Sequence, residues 1–220
     1  MRQMSDTPKK ITTMVWRIVF EKFEKKMDAA CLRRDAFINK VLEVELSHLD
    51  SEVGVANSVE AKTFISERLN RLCRKDHKLV SLALRPDIAM KLNEICANKR
   101  IVRDAFFNRL FILLAAAPTQ IDRLLGLSEN WRAHLIADLG KSSFEDTLHP
   151  VNDVIDPFWA IRDWIETDGG DGIYTALFND SQFKDTDLTG LNCYMPDDKI
   201  PEHPAEIERR SLDDLIANLL

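Results

Sequence analysis

The sequence predicts a mainly α fold with a short β-ribbon, built from two copies of a strand–helix–helix unit and followed by an α-rich acidic C-terminal domain. Three observations predict it. First, the run Arg34-Asp35-Ala36-Phe37-Ile38-Asn39-Lys40-Val41 returns 69 residues later as Arg103-Asp104-Ala105-Phe106-Phe107-Asn108-Arg109-Leu110. Second, each run is preceded by a β-rich apolar stretch and a short amphipathic one, so the repeating unit is larger than the octamer. Third, charge divides along the chain: residues 1–118 hold 22 Lys+Arg against 15 Asp+Glu, and residues 119–220 hold 8 against 21. The expected domains are therefore 1–118 and 119–220.

In the first copy (about residues 12–49), residues 12–20 (TTMVWRIVF) are β-branched and aromatic. Alternation puts Met14, Trp16, Ile18 and Phe20 on one face and Thr13, Val15, Arg17 and Val19 on the other, with the bulky set inward. Residues 21–32 carry Phe23, Met27, Ala30 and Cys31 at helical spacing. Arg33-Arg34-Asp35 opens a second helix reaching about residue 49, with Asp35 placed to favour its positive start. Residues 50–58 form a loop. Ser58 is the expected N-cap of a linking helix over 59–74, striped by Ala61, Phe64, Ile65, Leu69 and Leu72.

The second copy (residues 78–117) opens with Val80, Leu82 and Leu84 alternating with Ser81, Ala83 and Arg85. Pro86 stops this strand and suits a first helical turn. Ile88, Leu92, Ile95 and Cys96 match Phe23, Met27, Ala30 and Cys31 at an offset of 65, which implies an inter-helix loop four residues longer in this copy. The helix over 102–117 is apolar nearly all round and should be buried on more than one side. Beyond Pro118, helices are expected near 120–127, 130–139, 157–167 and 205–220. A strand is expected at 173–178 and a long polar loop through 180–204.

This order of elements, closest in VSLALRPDIAMKLNEI, resembles the ribbon–helix–helix (Arc/MetJ-like) DNA-binding family over 12–49 and 78–117. The resemblance implies that the two strands pair as one antiparallel ribbon under four helices, a pseudo-dimer within one chain. A lone unit would leave its strand without hydrogen-bond partners and its apolar face uncovered. It also implies that the ribbon enters the major groove of double-stranded DNA while the second helices meet phosphates. Carried over residue by residue, the groove-facing side chains are Thr13, Val15, Arg17 and Val19, then Ser81, Ala83 and Arg85. Arg33, Arg34, Arg100 and Arg103 lie where phosphates would be gripped. Val15, Val19 and Ala83 cannot hydrogen-bond base edges, a departure from the three polar readers usual per strand.

Function classes narrow accordingly. No GxSxG, P-loop or HExxH motif is present, and no enzyme is expected. His149, Asp153 and Asp156 have metal-like spacing, but Pro150 makes a capped loop the expected reading. Residues 168–172 read as a turn, and no metal or cofactor is expected. The cysteines (Cys31, Cys73, Cys96, Cys193) are widely spaced and read as buried small apolar residues in a reducing compartment. No apolar run approaches the ~20 residues needed to span a bilayer, so a cytoplasmic protein without a membrane partner is expected. The sequence reading is a transcriptional regulator or an accessory factor of plasmid or mobile-element DNA processing. Its rivals are a protein-binding module, or an antitoxin, that keeps the ribbon and meets a protein through 119–220. A homodimer with exchanged strands is the alternative to intrachain pairing.

Overall fold

The computed structural model describes residues 7–73, 76–127, 156–168, 171–178 and 188–200. The fold is mainly helical with one small antiparallel sheet of two strands, β1 (Lys9–Trp16) and β2 (His77–Leu84). The strands pair from Lys9 opposite Leu84 to Trp16 opposite His77, and Thr12 faces Ser81. Strand thus pairs with strand inside one chain.

β1 is where sequence expectation and structure differ most. It begins at Lys9 and stops at Trp16, because α1 (Arg17–Ala29) claims residues 17–20. Val19, Phe20, Phe23 and Met27 form a buried stripe along α1. Burying that stripe outweighs the β propensity of Ile18, Val19 and Phe20, since propensity yields to packing. The phase of the strand also shifts by one residue. Ile11, Thr13 and Val15 point inward, and Lys10, Thr12 and Met14 point outward. β2 has the expected phase, with Val80, Leu82 and Leu84 buried and Leu79 and Ser81 exposed.

α2 (Arg34–Glu52), α3 (Val59–Leu72), α4 (Pro86–Asn98) and α5 (Arg103–Ala115) lie where expected to within a few residues. The Ser58 hydroxyl accepts the Ala61 N–H at 2.9 Å, the expected cap. Pro86 is the first residue of α4. α1 and α4 each have 13 residues, and four residues separate each from the helix that follows. Both turns carry a left-handed residue, Cys31 at φ 56° and Arg100 at φ 52°. The longer second loop inferred from an offset of 65 is therefore absent, and 69 relates the turns as well as the octamers. Cys31 is exposed in this turn rather than buried, whereas Cys73 and Cys193 are buried.

α6 (Pro118–Leu125) ends on Gly126 at φ 66°, a left-handed cap suited to glycine. α7 spans Trp159–Asp168. Residues 173–178 form a turn rather than a strand, with the N–H groups of Thr175 and Ala176 both donating to the Gly172 carbonyl. Short 3-10 turns at Thr189–Leu191 and Asp197–Lys199 interrupt the expected loop. The helices expected at 130–139 and 205–220 lie outside the described residues, as do His149 and Asp153.

One apolar core runs from Ile11 to Met195 and crosses residue 118. Its aromatic spine joins Phe20 and Phe23 of α1 to Phe111 of α5, with centroids 5.0 and 5.1 Å apart. It continues through Phe107 and Phe106 to Tyr174. No helix among the described residues is long and apolar enough to cross a membrane.

Candidate nucleic-acid interface

A two-stranded ribbon has two outer edges with unpaired N–H and C=O groups, which invite further strands unless they are satisfied. The recurring octamer satisfies several of them on each edge. Asn39 accepts the Arg85 N–H at 2.8 Å and donates to the Ala83 carbonyl at 2.9 Å. Asn108 accepts the Trp16 N–H and donates to the Met14 carbonyl, both at 2.9 Å. Arg34 donates to the Ser81 carbonyl at 3.2 Å, and Arg103 to the Thr12 carbonyl at 2.9 Å. Each pair of partners stands 69 residues apart. Asp35 accepts the Ala83 N–H, and Asp104 accepts the Thr13 hydroxyl. Arg, Asp and Asn at the start of one helix thus supply both donors and acceptors, and the octamer clamps part of a ribbon edge.

With these edge contacts in place and helices on the inner face, one ribbon surface among the described residues is left to solvent. It consists of Lys10 beside Ala83, Thr12 beside Ser81, and Met14 beside Leu79. Lys10, Thr12, Leu79 and Ser81 are exposed, and Met14 and Ala83 are partly so. Three successive pairs span roughly 13 Å at the strand rise, about four base-pair steps.

The residues singled out from sequence fare unequally. Ser81 lies on the outer face as expected. Thr13 does not: it is buried against Asp104, one residue out of phase with the exposed Thr12. Arg17 sits on the first turn of α1 and pairs with Asp76 at 2.6 Å and Glu21 at 3.8 Å. Arg85 precedes α4 and is gripped by Glu43 and by Asp87, whose hydrogen bonds push its pKa further up. Arg34 is likewise held by Asp35 and Glu24, its pKa raised chiefly by the Asp35 hydrogen bond. Arg100 donates to the Asn57 carbonyl at 3.1 Å. Arg33 is exposed at the rim of an open hollow of about 510 Å³ that also includes Glu24, Asp28, Leu32 and Asp35. Carboxylates thus pair with Arg34 among the expected phosphate grips and with both expected groove-facing arginines, Arg17 and Arg85.

Sequence reading missed Lys10 and Thr12. Both phases of residues 11–20 are apolar enough to face a core, so alternation alone could not choose. Aligning both copies at 69 would have found the outer face, since it sets Arg17 against Pro86, the start of a helix, and Thr12 against Ser81.

A second polar cluster is buried and joins the two halves of the sequence. Glu45 of α2 accepts hydrogen bonds from Arg162 of α7 and from the Tyr174 hydroxyl. Arg162 also pairs with Asp156 at 2.7 Å and Glu52 at 3.7 Å. Burial pushes the Glu45 carboxyl up to about 7, against the pull of Arg162 and Tyr174. Nearby, the fully buried Arg109 donates to the carbonyls of Ile173, Ala176 and Leu191 and stacks 3.8 Å over Phe178. Burial lowers its pKa. Among the described residues, no group of three His, Cys, Asp or Glu side chains could hold a metal ion.

No family model, curated protein or solved structure matches this chain. The reading of its function therefore rests on the ribbon and what surrounds it.

Proposed function

We propose that the chain is a single-chain ribbon–helix–helix pseudo-dimer that binds double-stranded DNA, with the outer face of its ribbon in the major groove. The class of function that follows is transcriptional regulation or an accessory role in mobile-element DNA processing. The observation that carries the reading is the open ribbon face, centred where Thr12 meets Ser81. Those two residues are 69 apart, the same spacing that relates Arg34 to Arg103 and Asn39 to Asn108 in their contacts with the strands. A two-fold relation between the copies accounts for all three. Lys10, Thr12 and Ser81 offer hydrogen-bonding groups to base edges, and the basic balance of residues 1–118 favours a polyanion.

The test is retention of the whole chain on an immobilised 30-base-pair duplex across a salt series. Binding at low salt that weakens log-linearly as salt rises supports the proposal. Lys10→Ala should cost about 1–3 kcal/mol of binding free energy. Failure of the parent to bind any duplex at low salt refutes the reading.

A second reading, a protein-binding module or antitoxin with the same fold, is favoured by a specific observation. Leu79 is 68% exposed beside Met14, and Arg17, Arg34 and Arg85 are already engaged by carboxylates. Co-purification of a stoichiometric protein with a chain that ignores DNA would select it.

A further inference from the structure

The two ends of the open ribbon face are related by the two-fold axis of the proposed pseudo-dimer, yet they differ in chemistry. At one end Lys10 stands beside Ala83, with Lys9 adjacent in the strand. At the other, Leu79 stands beside Met14. Position 79 is the counterpart of position 10, so a cation at one end is replaced by an exposed leucine at the other. Neighbouring cations do not restore the balance at the apolar end, because Arg17 pairs with Asp76 and Lys78 with Glu24. The central pair, Thr12 and Ser81, has a hydroxyl on each strand, and the counterparts Met14 and Ala83 are both apolar, so the break in symmetry lies at Lys10 and Leu79.

An ammonium group and an isobutyl group cannot select the same base pair. A lysine in the major groove donates to O6 and N7 of guanine, whereas apolar side chains meet the C5 methyl of thymine. A symmetric duplex would set one half-site against the wrong end whichever way the ribbon lay. We infer that, on the DNA-binding reading above, this chain recognises a non-palindromic duplex in one fixed orientation. Lys10 selects guanine at one end, and Met14 with Leu79 selects thymine at the other.

The test is selection of bound duplexes from a random 20-base-pair library by the whole chain, the Lys10→Ala variant and the Leu79→Lys variant. The parent should enrich a motif without dyad symmetry, with guanine at one end and thymine about four base pairs away. Lys10→Ala should lower the preference for that guanine about tenfold and leave the thymine preference in place. Leu79→Lys should shift the motif toward dyad symmetry, with guanine at both ends. Both positions are exposed on the ribbon, so far-ultraviolet circular dichroism of the variants should match the parent. A dyad-symmetric motif from the parent, or a guanine preference untouched by Lys10→Ala, overturns this inference while leaving DNA binding intact. Absence of any enrichment, with no retention of the parent on duplex at low salt, overturns the DNA-binding reading itself.

Discussion

Lys40 and Arg109 occupy the same place in the recurring octamer and have opposite surroundings. Lys40 is a surface side chain paired with Glu43 at 3.0 Å, and an exposed pair of this kind contributes little. Arg109 is enclosed, and its planar fork satisfies several backbone carbonyls at once. A lysine keeps the charge but cannot reproduce the fork, leaving buried acceptors unpaired. Urea denaturation should therefore show Arg109→Lys destabilised by about 2–4 kcal/mol. Lys40→Ala should stay within about 0.5 kcal/mol of the parent.

Glu45 gives a prediction of a different kind. Its carboxyl is raised by burial from the ordinary glutamate value to about 7, so between those values the folded chain holds a proton that the unfolded chain has released. Stability should fall as pH rises from about 4.5 to 7, by on the order of 3 kcal/mol, and be flat in this respect above. Glu52, raised in the same direction by burial, adds to the fall. In Glu45→Gln, which cannot ionise, the slope of denaturation free energy against pH should shrink in that window. An unchanged slope would remove Glu45 as its source.

At the scale of elements, the closed edges of the ribbon determine how the chain can associate. Asn39 and Asn108 each satisfy an N–H and a C=O that would otherwise open a strand edge to another chain. With both in place and the strands paired within one chain, the thermal midpoint should not move over a hundredfold dilution. Asn108→Ala should cost about 2 kcal/mol, because the Trp16 N–H that it covers is buried. Asn39→Ala frees a more exposed edge, so it should cost less and introduce a concentration dependence that the parent lacks. Size-exclusion chromatography across the same dilution would register the new association.

The elements also differ in how far the sequence betrayed them. The linking helix declared itself through Ser58 and its stripe, and α4 through Pro86, because capping and φ restriction are local. The end of β1 did not, because the helix that follows starts at Arg17 without a proline and apolar residues stand on both sides of that arginine. The turn at 173–178 looked like a strand because its apolar residues serve α5 and α2 rather than a sheet partner. Arg109 was unreadable as a buried cation for the same reason: its carbonyl partners lie 64 to 82 residues away. Side-chain periodicity reports faces, and it does not say what will cover them.

For the molecule as a whole, charge suggested a boundary at residue 118, and packing crosses it. Phe106 meets the Tyr174 ring at 5.7 Å, and Glu45 depends on Arg162 and Tyr174. The 3-10 turn at Thr189–Leu191 lies on α3, so close that a Cβ on Gly190 would come within 2.4 Å of the Leu69 amide nitrogen. Leucine or alanine could not occupy that position without moving α3. Asn57 in the loop before α3 is anchored in the same way, donating to the Cys193 carbonyl at 2.9 Å and accepting the Met195 N–H at 3.0 Å. Deleting 119–220 should therefore lay bare Phe106, Arg109 and Glu45. Phe111 should stay covered, since Phe20 and Phe23 pack on it from α1. Exposing the apolar surface around Phe106 would forfeit about 1.5–3 kcal/mol per large side chain, a sizeable share of the stability of a whole domain. The 1–118 fragment should lose its cooperative melt and bind a hydrophobic dye, whereas the full chain should melt in one transition. A soluble fragment with a sharp melt at the parent's midpoint would show instead that the ribbon and its helices stand without the second half. That fragment would then be the smaller unit on which to measure DNA binding.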